Sequence, residues 1–160
     1  MNYIAKKKLT KDGVYFVGQN SCDVTGSCIY IRFGDKQILL ECGLHQSSSN
    51  SYLDSYRINS EKFKFNPSEI NYVFLCHAHV DHGGLLPRLI REGFKGKIII
   101  NTTTARITDS LLKNCAYILQ DEARVLSKRY KREYSPIYNE EDVYRTLDFF
   151  YLVGREHPSL

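Results

Sequence analysis

Two short apolar runs, NYVFLC at residues 71–76 and KIIIN at 97–101, lie one helix-length apart, and few folds accommodate them. Both have strand length and near-continuous apolar character, so they read as strands buried on both faces. Between them LLPRLIREGF has helical spacing, with Pro87 tolerated in the first turn and Gly93 placed as a stop. Strand, turn, helix and strand in this order make the crossover that joins parallel neighbours. The expected class is therefore α/β.

Apolar alternation marks further strands over Gly13 to Val17, Ser27 to Phe33 and Lys36 to Glu41, the last two joined by a turn at Gly34 and Asp35. Ile107, Leu111, Cys115, Ile118, Leu119 and Leu126 predict one long amphipathic helix or two broken ones over residues 104–134, ended by Ser135 and Pro136. Asn139, followed by EED, caps another helix through Val143, Leu147 and Phe150. Polar residues 46–62 read as a surface loop and residues 151–160 as a frayed end.

A chain of 160 residues suits one domain, and 42% hydrophobic with 25% charged residues excludes disordered and fibrous classes. No apolar run approaches the roughly 20 residues that span a bilayer. The basic start MNYIAKKKLTKDG lacks the apolar stretch of a signal peptide, so a cytoplasmic location is expected. Cys22, Cys28, Cys42, Cys76 and Cys115 include no CxxC pair and are expected as reduced, packed thiols. A net charge of +4 permits a polyanionic partner without requiring one.

The first buried run leads into CHAHVDHGG, which holds three of the five histidines in the chain. Imidazole and carboxylate are the usual nitrogen and oxygen ligands of zinc, and a catalytic zinc keeps one position open. Alternate side chains of an extended segment share a face, so His77 and His79 can reach one ion. Asp81 and His82, neighbours pointing apart, suit a second. Two metals about 3.5–4 Å apart can stabilise both the attacking and leaving oxygens of a displacement. Gly83 and Gly84 either let backbone or substrate approach closely or serve plain turn chemistry. His45, in ECGLHQ, is either a lining residue or an ordinary loop histidine. Arg88, Arg91, Lys95, Lys97 and KRYKR at 128–132 either meet phosphates or form solvated and helix-terminal charge.

HAHVDH after a buried strand, with ILLECG one strand-loop unit upstream, resembles the metallo-β-lactamase fold superfamily. GSCIYIRFGDKQILLECG, HAHVDHGGLLPRLIREGFKGKIII and TTTARITDSLLKNCAYILQDEA are similar, more narrowly, to the β-CASP RNA-processing metallo-hydrolases, across most of residues 13–150. The resemblance implies an αββα sandwich of which this chain supplies the amino-terminal half, two zinc ions, and cleavage of an RNA phosphodiester. A thioester or lactone hydrolase of the same fold and a non-catalytic truncated or complementing subunit are the alternatives. By resemblance His77 and His79 ligate the first zinc and Asp81 and His82 the second, with Asp81 also orienting the attacking water. Glu41 stands where the family has aspartate and would support a ligand from behind.

The family's downstream motifs, a histidine before a glycine-serine pair, a bridging aspartate and a last histidine, do not occur here, and His157 lacks that context. Four ligands divided between two ions leave about two each, against the three usual at catalytic zinc. Weak metal retention and little turnover are therefore expected of this chain alone. Half a sandwich would also expose an apolar sheet face, to be covered by a complementing carboxy-terminal half or by self-association.

Overall fold

Alternating apolar and polar residues build the first part of the sheet. In the computed structural model, which describes residues 9–18, 25–46 and 51–154, the strands β1 (Gly13–Phe16), β2 (Ile29–Phe33) and β3 (Lys36–Leu40) form an antiparallel meander. Phe33 pairs with Lys36 across the expected turn, where Gly34 holds φ +58, a region open to glycine at no steric cost. Three parallel strands, β4 (Tyr72–Leu75), β5 (Lys97–Asn101) and β6 (Phe150–Val153), continue the sheet so that all six lie in sequence order.

The helices α1 (Tyr52–Ser60), α2 (Val80–Gly83), α3 (Leu86–Arg91), α4 (Thr102–Tyr130) and α5 (Glu140–Leu147) complete the described elements, with a short 3-10 turn at Pro67–Glu69. Tyr30, Leu39, Val73, Leu75, Ile98 and Ile100 of the sheet share one core with Leu86, Leu89, Leu112, Ala116 and Val143 of α3, α4 and α5. Burying each such side chain contributes roughly 1.5–3 kcal/mol. Among the described residues no helix is long and apolar enough to cross a membrane.

Several sequence expectations change in detail. Within residues 46–62 the chain forms α1, capped by the Ser51 side chain on Asp54 N, so most of the stretch is helix instead of loop. Leu53 and Tyr56, three positions apart, pack against Ala123, Leu126 and Tyr134, a two-residue apolar stripe that the polar composition hides. Residues 47–50 lie outside the described residues. The end expected to fray opens instead with β6, where Phe150 pairs with Ile98 and Val153 with Asn101; this pairing also stops α5 at Leu147, short of Phe150. Residues 155–160, His157 among them, lie outside the described residues. The long helix is a single unbroken α4, and it ends earlier than Ser135, at Lys131 in the left-handed region.

The strand at 71–76 is buried on one face only, since Tyr72 and Phe74 are exposed while Val73 and Leu75 are not. The same holds across the sheet. Phe16, Ile29, Leu40, Phe74, Ile99 and Tyr151 are successive register partners, forming one apolar row over all six strands on the face opposite the helices. Phe16 is 64% exposed and Val14 60%, so the row is wettest at the β1 edge. A contiguous apolar face of this kind favours association. Replacing Phe16 and Phe74 together by lysine is expected to cut binding of an apolar fluorescent dye and to move sedimentation toward the monomer while circular dichroism is retained. Unchanged dye binding would mean that the face is covered in solution.

Candidate metal centre

β3 and β4 are parallel neighbours, so the segments leaving their carboxyl ends emerge side by side, where open α/β sheets bind ligands. The segment after β3 and the histidine turn after β4 are then laced together by backbone hydrogen bonds. Cys42 N donates to His82 O at 2.7 Å, Leu44 N to Val80 O at 3.0 Å, and Ser27 N to Asp81 O at 2.8 Å. A Cβ on Gly43 would overlap the Asp81 carbonyl, and one on Gly84 would press on Leu44 and the Val80 carbonyl. Gly83 and Gly84 are both buried, so their small size serves close approach of this chain to itself and leaves no room there for substrate.

This lacing fixes the side chains. His77 and His79 follow the end of β4, His77 at a bend, and their rings lie 4.7 Å apart. His79 caps α2 with extended φ and ψ, and the helix turn begins at Val80. Asp81 and His82 therefore project about 100° apart instead of opposite, and Asp81 Oδ2 comes within 3.5 Å of His82 Nε2. The expectation that they point apart is corrected by this helical start. His82 turns back over His77, ring centroids 3.9 Å apart, while His79 stands 6.5 Å from His82.

Among the described residues, the donor atoms that converge belong to Glu41, His77 and His82, all within 4.8 Å of one another. Sequence reasoning puts Glu41 behind the ligands; the structure brings its carboxylate alongside the His77 and His82 imidazoles. The missed signal was topological: a carboxylate one residue past β3 must sit beside whatever follows β4. Glu41 is 8% exposed and holds φ +63, a left-handed backbone that costs a non-glycine residue about 1–2 kcal/mol. Its Oε1 accepts from Cys76 N at 3.2 Å, whereas Oε2 and His82 Nδ1 are both buried without a hydrogen-bond partner, 3.8 Å apart. Buried, unpartnered nitrogen and oxygen donors of this chemistry fit a divalent cation such as zinc. Cys76 is exposed, against the expectation of a packed thiol, and its thiol is pushed above the usual range, first by hydrogen bonding to the Glu41 carboxylate and then by partial burial. Cys28, Cys42 and Cys115 are free and buried as expected, and Cys22 lies outside the described residues.

His45 is held elsewhere. It is 3% exposed, its Nδ1 lies 2.9 Å from Thr25 Oγ1, and its backbone is clasped at both N and O by the Asn59 amide at 2.8 Å. It lines a cavity of about 590 Å³ between α1 and α4, with Val80 on the same wall, and is not among the converging donors. Asn59, the residue that pins it, escaped notice because it lies in the stretch read as loop. Arg88 is buried, donating to Glu92 and to the Asn59 carbonyl and lying over the Phe63 ring, and Arg91 reaches the Ile137 carbonyl and Asp142. Lys97 lies over Tyr151. These cations are engaged in the fold, while Arg129 lies over Tyr130 in the last turn of α4 and Arg132 over Tyr134 just past it.

The family described as the metallo-beta-lactamase superfamily matches residues 23–155. Ribonuclease TTHA0252 of Thermus thermophilus is 32% identical over 99 residues, covering 62% of this chain and 22% of that protein. Endoribonuclease YSH1 of Candida albicans is 28% identical over 146 residues, covering 83% of this chain and 15% of that protein. Cleavage and polyadenylation specificity factor 73 of Drosophila melanogaster is 29% identical over 145 residues, covering 82% and 20%. The chain thus spans a quarter or less of the length of these relatives. Among solved structures, the archaeal metallo-beta-lactamase superfamily protein ST1585 from Sulfolobus tokodaii is 18% identical, covers 89% of this chain and 49% of its own, and has a TM-score of 0.47.

Gly43 is the point at which the two segments touch. Gly43→Ala is expected to lower stability to denaturant by roughly 2–4 kcal/mol, a large loss of the kind that follows from forced backbone displacement. Gly34→Ala, where nothing lies within 4 Å and only the backbone conformation resists, is expected to cost about 1–2 kcal/mol. Equal losses in urea unfolding would contradict the close approach at Gly43.

Proposed function

The chain belongs to the metallo-beta-lactamase superfamily, and from that premise we propose that it is the metal-binding portion of a zinc-dependent hydrolase that cleaves RNA phosphodiesters, of the β-CASP type. The observation that carries this reading is the convergence of imidazole and carboxylate donors at the carboxyl ends of β3 and β4. Support for RNA as substrate comes from the relatives, two of which are named as ribonucleases.

His77, His79, Asp81 and His82 would hold the metal, with Glu41 against them. Bound zinc supplies Lewis-acid polarisation of a phosphoryl oxygen and makes water nucleophilic near neutral pH. The chain's own part is orientation. Asp81, partly exposed beside His82, would accept a hydrogen bond from water through Oδ1 while Oδ2 faces the imidazole. Exposed His79 would stand at the mouth of the site, and the lacing of residues 41–44 to 80–82 would keep these groups from drifting apart on substrate binding.

The apolar row on the open sheet face favours a complementary reading of the chain taken alone: it corresponds to an amino-terminal half that reaches full activity only with a complementing carboxy-terminal half. On either reading the proposed substrate is RNA, the class that the names of the relatives point to.

A fluorophore-labelled single-stranded RNA incubated with the zinc-supplemented chain is expected to be cleaved slowly. Chelation should abolish the cleavage, and Asp81→Ala should lower it by about 100-fold or more, the range of a lost proton-positioning group. Chelator-insensitive cleavage, or turnover of a thioester with RNA untouched, would contradict the assignment.

A further inference from the structure

Resting on the metallo-hydrolase reading, we propose that the Glu41 carboxylate is itself a ligand of the metal, sharing one ion with His77 and with His82 through Nδ1. Four observations meet on it. The backbone at Glu41 is left-handed, φ +63, and is held so by Glu41 N on Phe74 O at 3.0 Å and by Cys42 N on His82 O at 2.7 Å. A strained non-glycine residue locked from both sides turns its side chain away from the sheet face and into the strand end, and such strain gathers at functional sites.

The carboxylate is half satisfied. Oε1 has the Cys76 amide, while Oε2, shut off from solvent, has no hydrogen-bond partner. Opposite it, His82 Nδ1 is equally enclosed and equally without one, at 3.8 Å. That separation is too long for a hydrogen bond, which needs about 3.2 Å or less. It is close to the spacing of two donors on one tetrahedral zinc, about 3.3–3.6 Å for bonds of 2.0–2.2 Å. Leaving both buried atoms unpaired forfeits their hydration with nothing in return, a cost that a shared cation removes.

The third donor is His77, whose ring lies 3.9 Å from that of His82. With Nδ1 of His82 turned to the ion, Nε2 carries the ring proton and Asp81 Oδ2, 3.5 Å away, becomes its acceptor, the usual way a ligating histidine is fixed in one tautomer. Asp81 then positions His82 on the shared ion through Oδ2, and the metal that Asp81 itself would hold is a second one. Chain length matters as well: an aspartate at 41 would stop one methylene, about 1.5 Å, short of the same point.

The test uses the 160-residue chain stripped of metal, titrated with zinc by calorimetry and with cobalt(II) by visible absorption. Glu41→Gln keeps the acceptor for Cys76 N and removes the charge; Glu41→Asp keeps the charge and shortens the reach. A ligand role predicts that each lowers metal affinity by more than about 100-fold, beyond the 10–100-fold typical of residues that merely support ligands. It also predicts that each alters the cobalt absorption bands, because a donor is lost. Unfolding in excess chelator checks that the variants fold; if Glu41→Gln does not, Glu41→Asp carries the comparison. Recovery of the wild-type spectrum and affinity in Glu41→Asp, or an unchanged spectrum in Glu41→Gln, would overturn the ligand role and leave Glu41 as a positioning residue. Absence of metal uptake by the wild-type chain would instead overturn the metal centre as a whole, this proposal included.

Discussion

Everything at the candidate site depends on two backbone segments being sewn together. Residues 41–44, leaving β3, and residues 80–82, opening α2, exchange hydrogen bonds at 2.7–3.0 Å, and Ser27 adds a third strand of contact through Asp81 O. Gly43 makes the approach possible because any side chain there would occupy the space of the Asp81 carbonyl. From this one constraint follow the placement of Glu41 against His82, the backward turn of His82 over His77, and the burial of Gly83 and Gly84.

The sheet explains why the stitch falls where it does. Parallel pairing of β3 with β4 and of β4 with β5 sends successive carboxyl ends to one edge, and the α3 crossover, packed through Leu86, Leu89 and Ile90, holds the strands in that relation. The helices cover a single face. On the other, one apolar residue from each strand lines up across the sheet, so the stability of the fold and its tendency to find a second layer have the same source.

Much of this was legible in the letters. NYVFLC, LLPRLIREGF and KIIIN gave the parallel crossover because length and apolar content leave little choice, and Gly34–Asp35 gave the hairpin because only a tight turn connects residues 33 and 36. HAHVDH pointed to metal chemistry by residue type and spacing. What composition could not reveal was anything set by a partner distant in sequence. α1 rests on Leu53 and Tyr56 meeting the far end of α4, β6 on an open edge offered by β5, and the exposure of Tyr72 and Phe74 on helices lying on one side only. Asp81 and His82 were read with strand geometry, but α2 had already begun. Glu41 was read for its type, whereas its importance lies in a left-handed φ that no sequence pattern announces.

The central claim is that imidazole and carboxylate groups at the ends of β3 and β4 form a cup for a cation. X-ray absorption fine structure of the zinc-loaded chain tests this most directly, because it distinguishes nitrogen and oxygen from sulfur around the ion. The account predicts only nitrogen and oxygen neighbours near 2.0–2.2 Å, with the outer scattering of at least two imidazoles. A sulfur neighbour at about 2.3 Å, which would place the ion on Cys76 or another thiol, would contradict it.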